Sequence, residues 1–197
     1  MLAQDVLDFW FLPPGDPGHG EVRKAWFKKG DAFDAVIRAR FGHVIDIALA
    51  GGLREWDVEG DAAARARGTL ARILVLDQFT RNAHREQPKS FAGDSLALAA
   101  AHSLVDSGAD QQLSTLERWF AYMPFEHAED ARMQERSVQL FEALARTDPR
   151  CADAFDYAVR HRGVIARFGR FPHRNVILGR SSSAEELAFL QQPGSRF

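Results

Sequence analysis

Apolar positions along the chain recur at helical spacing. Leu2, Val6, Phe9 and Trp10 fall at i, i+4, i+7 and i+8, one face of a first helix, which Pro13, Pro14, Gly15, Pro17, Gly18 and Gly20 break. A short second helix is expected over Val22 to Lys29. Asp31 reads as the cap of a third, whose stripe is Phe33, Ile37, Phe41, Val44, Ile45 and Ala48, and Gly51 and Gly52 stop it. A long fourth helix is predicted from about Asp61 to Arg85, and a fifth from Asp94 to Ser107. Ser114 is the expected cap of a sixth reaching Met123, before Pro124. A seventh spans about Ala128 to Arg146. Asp148-Pro149 is a cap followed by proline at the first helical position and opens an eighth, which ends at Gly169. Ser182 and Glu185 fit a capping box for a ninth. The best period-two stretch, Asn175 to Leu178, is four residues long and isolated, too short to argue for a sheet. Connections of mostly about 2–8 residues suit antiparallel neighbours around one core.

Composition points the same way. The 197 residues include 30 Ala and 18 Leu but only 11 Val, 6 Ile and 4 Thr, rich in helix formers and poor in β-branched residues. The expectation is an all-α fold of about nine helices in antiparallel hairpins, in a single helical domain over residues 1–197. A formal net charge of −2 provides no global field for nucleic acid or an acidic membrane. The lone cysteine, Cys151, excludes disulfide scaffolds and cysteine-rich zinc sites and fits a reducing cytoplasm. The longest apolar run, Leu96 to Ala101, is six residues, far short of a membrane span. Met1 to Gln4 lacks a basic region, and Asp5 and Asp8 interrupt the apolar positions after it, so no signal peptide is expected.

Three constellations carry candidate chemistry. In the fourth helix, Asp77 continues the stripe of Leu70, Ile73 and Leu74, and Arg81 follows at i+4, the favourable acid-then-base order. A charged pair on a core-facing stripe must be paired. It is either an internal polar staple between helices or the floor of a ligand pocket, with Asn82 and Arg85 beside it. In Met123-Pro124-Phe125-Glu126-His127-Ala128-Glu129-Asp130, three acids surround one histidine at a helix start. The helix dipole explains acids there. His127 with Glu129 would otherwise be a base with its orienting carboxylate. No metal-ligand spacing such as H-E-x-x-H supports a metal.

The third is the strongest local anomaly. Tyr157 to Ala184 contains no Asp or Glu but holds Arg160, Arg162, Arg167, Arg170, Arg174 and Arg180. His161 shares the inner face of the eighth helix with Ala154, Ala158, Ile165 and Phe168, where a core histidine is the plain reading. Gly169 supplies a left-handed turn, Pro172 stiffens the next, and Phe168 and Phe171 anchor it. Arg167, Arg170, His173 and Arg174 would then radiate from a stiff loop. Guanidinium forks match phosphate or carboxylate bidentately, so the segment reads as an anion pocket, or as partner to the acid surplus elsewhere, including Asp77 and Glu129. Two features are set aside: Gly15, Gly18 and Gly20 follow no strand, and Cys151 has no neighbouring catalytic partner.

The segments Leu76-Asp77-Gln78-Phe79-Thr80-Arg81-Asn82, Met123 to Glu129 and Arg167-Phe168-Gly169-Arg170-Phe171-Pro172-His173-Arg174-Asn175 occur in that order. With Trp26-Phe27 and Gly179-Arg180, they resemble the bacterial domain-of-unknown-function family nine-two-four over roughly Val6 to Leu190. Ser183 stands where that family more often has threonine. The resemblance implies an all-helical fold grouped with tetratricopeptide-like (TPR-like) superhelices. It implies no activity and assigns no catalytic residue.

The functional expectation is a pocket for a small anionic ligand, phosphate- or carboxylate-bearing, lined by Asp77, Arg81, Asn82, Arg85, His127, Glu129, His161, Arg167, Arg170, His173 and Arg174. Arg81, Arg167, Arg170 and Arg174 would face the anion, and Asp77 and Glu129 would orient arginine or histidine. In an enzyme, His127, His161 or His173 would transfer the proton. No cofactor or metal is called for. The alternative is a TPR-like scaffold for a protein partner, whose motifs form a buried ion-pair network. A nucleic-acid partner fits poorly with the charge balance.

Overall fold

The computed structural model describes residues 1–195 of the 197. Among these the protein is all helix, with no strand. α1 (Ala3–Phe11) buries Val6, Leu7, Trp10 and Phe11. The short α2 (Lys24–Phe27) places Trp26 so that its Nε1 donates to the Trp10 carbonyl at 2.8 Å. α3 (Asp31–Leu49) buries the expected stripe from Ile37 to Ala48. Phe9, Trp10, Phe33, Phe41, Phe79 and Phe120 join in edge-on, tilted and stacked ring contacts within the core.

The fourth helix, α4, is continuous but not uniform. It is α over Ala62–Ile73, π over Leu74–Phe79 and α again over Thr80–Ala83. Asp61 caps it, accepting from the Ala64 N–H at 2.8 Å. Every residue from Gly68 to Thr80 is buried, so this stretch of the helix threads the middle of the protein and has no solvent face for its polar side chains. In the π turn the Val75 carbonyl accepts the Thr80 N–H and also the Thr80 Oγ1 hydroxyl at 2.9 Å.

α5 (Asp94–Asp106) packs on α4 through Ala97, Ala100 and Ala101. α6 (Thr115–Glu126) opens with a capping box between Ser114 and Glu117. It passes through Pro124 and ends at Glu126, one turn later than the expected stop at Met123. The proline removes only one helical donor near the end of the helix, and buried Phe125 and Glu126 hold the last turn inside. Asp130 then caps α7 (Ala131–Thr147), accepting from Arg132 and Met133. A turn at Pro149–Cys151, capped by Asp148, leads into α8 (Ala152–Phe168). The short connections make α6, α7 and α8 consecutive packed hairpins. α8 ends at Gly169 with φ of 69°, as its sequence predicts. α9 (Ala184–Leu190) is capped by Ser183 with Glu186, one residue later than expected; Ser182 instead accepts from Asn175 Nδ2.

A main core spans α1 through α8, and a satellite cluster of Val164, Ile165 and Phe171, with Phe168 and Phe189, fastens the segment after α8. No helix among the described residues is long and apolar enough to cross a membrane.

Candidate functional site

The three constellations meet around one carboxylate. Asp77 lies in the π turn and is fully buried. Its Oδ1 accepts from Arg81 Nη1 at 2.8 Å and from His127 Nδ1 at 2.7 Å, and its Oδ2 accepts from Gln78 Nε2 at 2.6 Å. Burial alone would push this carboxyl up. The Arg81 charge, with hydrogen bonds from His127 and Gln78, more than offsets it and holds Asp77 well below the usual carboxylate range. The orienting acid of His127 is therefore Asp77, fifty residues earlier, and not Glu129.

Arg81 links this centre to α5 through Asp94 at 2.9 Å. Asp94 also accepts from Arg174 Nη1 at 3.0 Å, and Arg174 Nη2 donates to the His127 carbonyl at 2.9 Å. The chain Asp77, Arg81, Asp94, Arg174 thus ties the fourth helix, the fifth helix and the segment after α8 together. The Arg174 guanidinium lies between the Phe91 and Phe171 rings, 4.7 Å from each centroid. Burial, with the nearby Arg81 charge, pulls its pKa down to about 10.

These groups form one wall of a cleft of about 460 Å³. Arg81, Arg85, His127, His161, His173 and Arg174 line it, as expected. Gln78, Phe91 and Met123 line it too, and Lys29 and Glu86 sit at its edge, paired with each other at 2.8 Å. His161 Nδ1 donates to the Tyr157 carbonyl at 2.8 Å. Burial drives His161 down to about 3 and His173 down to about 4, and burial with the Arg81 charge lowers His127. His161 and His173 are thereby neutral at pH 7, and His127 is shifted in the same direction.

Other expected residues lie elsewhere. Asn82 Nδ2 donates to Asp34 Oδ1 at 2.8 Å, on the α3 side of the helix, and Arg85 also pairs with Asp34. Arg167 pairs with Glu185 and stacks on Phe168. Arg170 is clamped by Glu186 and the Ser181 carbonyl. Arg167 and Arg170 therefore fasten α9 to the end of α8 and do not line the cleft. Glu129 accepts from Arg180 at 2.6 Å and 2.9 Å and from the Phe171 N–H at 2.7 Å, so it fixes the aromatic loop from behind. It lines a neighbouring hollow that shares His127 and Arg174 with the cleft. Cys151 is buried and pushed up to about 11 by desolvation and the Asp148 charge, an inert thiol.

Sequence reasoning missed Asp94, Gln78 and Glu126 as site residues. Asp94 carried only the signature of a helix start. Gln78 stood inside the Asp77 motif. Glu126 stood inside the His127 motif, where the dipole explained it. In the structure Glu126 is buried, with Oε1 3.3 Å from His161 Nδ1, and burial with the Asp77 charge pushes it up to about 8. Glu126 and His161 are therefore both neutral at pH 7, and their contact is not an ion pair.

Glu126 has a stability consequence. Its folded value of about 8 exceeds its ordinary 4.5, so the folded state holds the proton more tightly between those limits. The stability it contributes is complete below about pH 4.5 and is lost as pH rises through 8. His161 and His173 act from the other side: their depressed values withdraw stability as pH falls below 6.5 toward 4. Urea unfolding from pH 5 to 9 is expected to show stability declining above neutrality, with a flatter alkaline limb in Glu126→Gln. Identical alkaline limbs would contradict a protonated Glu126.

Fold and cleft together define an all-helical protein built around a buried carboxylate–arginine–histidine centre. Residues 6–194 match the family described as bacterial protein of unknown function (DUF924), and the chain belongs to that family. Its fold is similar to that of a protein of unknown function from Agrobacterium tumefaciens, with a TM-score of 0.80, 37% sequence identity and 96% of each chain covered. No curated protein matches the chain.

Proposed function

We propose that the cleft binds a small anionic ligand, phosphate- or carboxylate-bearing. The charge of its lining carries this reading. Lys29, Arg81, Arg85 and Arg174 line the space against one carboxylate, Glu86. The acids that hold the arginines, Asp34, Asp77 and Asp94, lie outside that lining. With His161 and His173 neutral, the cleft turns the cationic side of these ion pairs toward a solute and keeps most of their acids behind it, and a concave, partly desolvated surface strengthens the local field.

A thermal-shift panel at matched ionic strength tests it, with phosphate, nucleotides, sugar phosphates and dicarboxylates. A ligand at 100 times its Kd is expected to stabilise by about 2.7 kcal/mol, and each kcal/mol raises Tm by about 2–4 °C at this size. Lys29→Gln removes an exposed charge at the rim and is expected to weaken binding severalfold while changing the ligand-free stability only slightly, since the Lys29–Glu86 pair is exposed. A flat panel would favour the second reading, a short TPR-like scaffold for a protein partner with the motifs as an internal staple. The arginines clamped to Glu129, Glu185 and Glu186 support that reading.

A further inference from the structure

The acceptor atoms of the cleft carry a step that rests on the anion reading and narrows it. An ionised carboxylate only accepts hydrogen bonds, so each neighbour of Asp77 must turn an N–H toward it. His127 gives its Nδ1–H at 2.7 Å. A neutral imidazole that donates from Nδ1 carries a lone pair on Nε2. Gln78 gives Nε2 to Asp77 Oδ2 at 2.6 Å, and the same nitrogen faces Met123 Sδ at 3.5 Å. Both hydrogens of the amide are thereby engaged, and Oε1 is its remaining polar atom. His127 and Gln78 both line the cleft. One buried carboxylate therefore leaves two acceptors, His127 Nε2 and Gln78 Oε1, in a lining whose charged groups are mostly cationic.

We propose that the ligand is a hydroxylated anion, a polyol phosphate or a hydroxy acid, whose hydroxyl groups donate to His127 Nε2 and Gln78 Oε1 while its acid group faces the cations. A ligand amine would also donate, but its positive charge is disfavoured by Lys29, Arg81, Arg85 and Arg174. An anion without hydroxyls would leave both acceptors desolvated and unpaired, the situation in which polar sites reject analogues most strongly. Asp77 stays ionised and fixes the His127 tautomer that leaves Nε2 as an acceptor for the bound hydroxyl.

Calorimetric titration of the full chain at constant ionic strength tests this with two matched pairs. Glycerol 3-phosphate is compared with propyl phosphate, and glycerate with propionate. The hydroxylated member is expected to bind roughly tenfold tighter in the pair whose acid group the cleft prefers. Gln78→Met removes one acceptor and is expected to shrink that ratio to about threefold. The wild-type comparison stands on its own should this variant fold poorly. Equal affinities within both pairs would overturn the hydroxyl inference and leave the anion reading in place. Binding of none of the four compounds would overturn both.

Discussion

Replacing Asp77 with alanine is expected to destabilise the protein by about 3–5 kcal/mol, the cost of breaking a buried pair from one side. The carboxylate serves three donors at once: Arg81, His127 and Gln78. Its removal leaves buried arginine charge with Asp94 as the remaining acid and leaves two further N–H groups without an acceptor. Asp77 itself is fully buried behind the cleft wall, so hydration from the cleft makes up only part of the loss. At this size about 2–4 °C follows each kcal/mol, and Tm is expected to fall by roughly 6–20 °C. Asp77→Asn keeps the shape and part of the bonding, and its loss should be smaller. Urea and thermal unfolding check both, and a loss below about 1 kcal/mol in Asp77→Ala would mean that the centre does not hold the helices together.

Gly93→Ala is the second large effect. Gly93 has φ of −88° and ψ of −9°, a conformation alanine adopts freely, so backbone strain is not the issue. Space is. A Cβ at this position would lie 2.2 Å from the Leu76 carbonyl oxygen and 2.9 Å from its carbon. Both atoms belong to the main chain of the π turn and Gly93 is the cap of α5, so neither side yields as a side chain would. Overpacking of this kind costs about 1–3 kcal/mol, sometimes more. The start of α5 must also move away from α4, which carries Asp94 away from Arg81 and Arg174. The variant is therefore expected to be less stable by about 3 kcal/mol and to lose anion affinity together with stability. Gly163→Ala in α8 is the contrast: nothing lies within 4 Å of its Cβ, and helix propensity alone predicts a gain of about 0.8 kcal/mol. Equal effects at the two positions, by chemical unfolding, would refute the packing argument.

The helices were legible because each buries a stripe and most carry their own stop signals. Gly169, Ser114 and Asp148-Pro149 all act where the pattern placed them. The π turn was not legible: Leu70, Ile73, Leu74 and Asp77 fit an ordinary helix equally well, and the wider winding is visible only against neighbours such as Gly93. The site was half legible. Asp77 with Arg81 could be read because the pair is local. Asp94 meets Arg174 across eighty residues, and no periodicity encodes such a meeting. Arg167 and Arg170 looked like Arg174 in a segment without acids, yet Glu185 and Glu186 lie just beyond it and claim them first.

The most direct measurement is a long-range proton–nitrogen NMR correlation of the His127 ring, assigned with His127→Gln, in the free protein and with glycerol 3-phosphate added. The account predicts a neutral imidazole protonated on Nδ1, with the Nε2 signal moving as ligand binds. A proton on Nε2 in the free protein, or an Nε2 signal indifferent to the ligand, would contradict a cleft arranged by Asp77 to receive a hydroxylated anion.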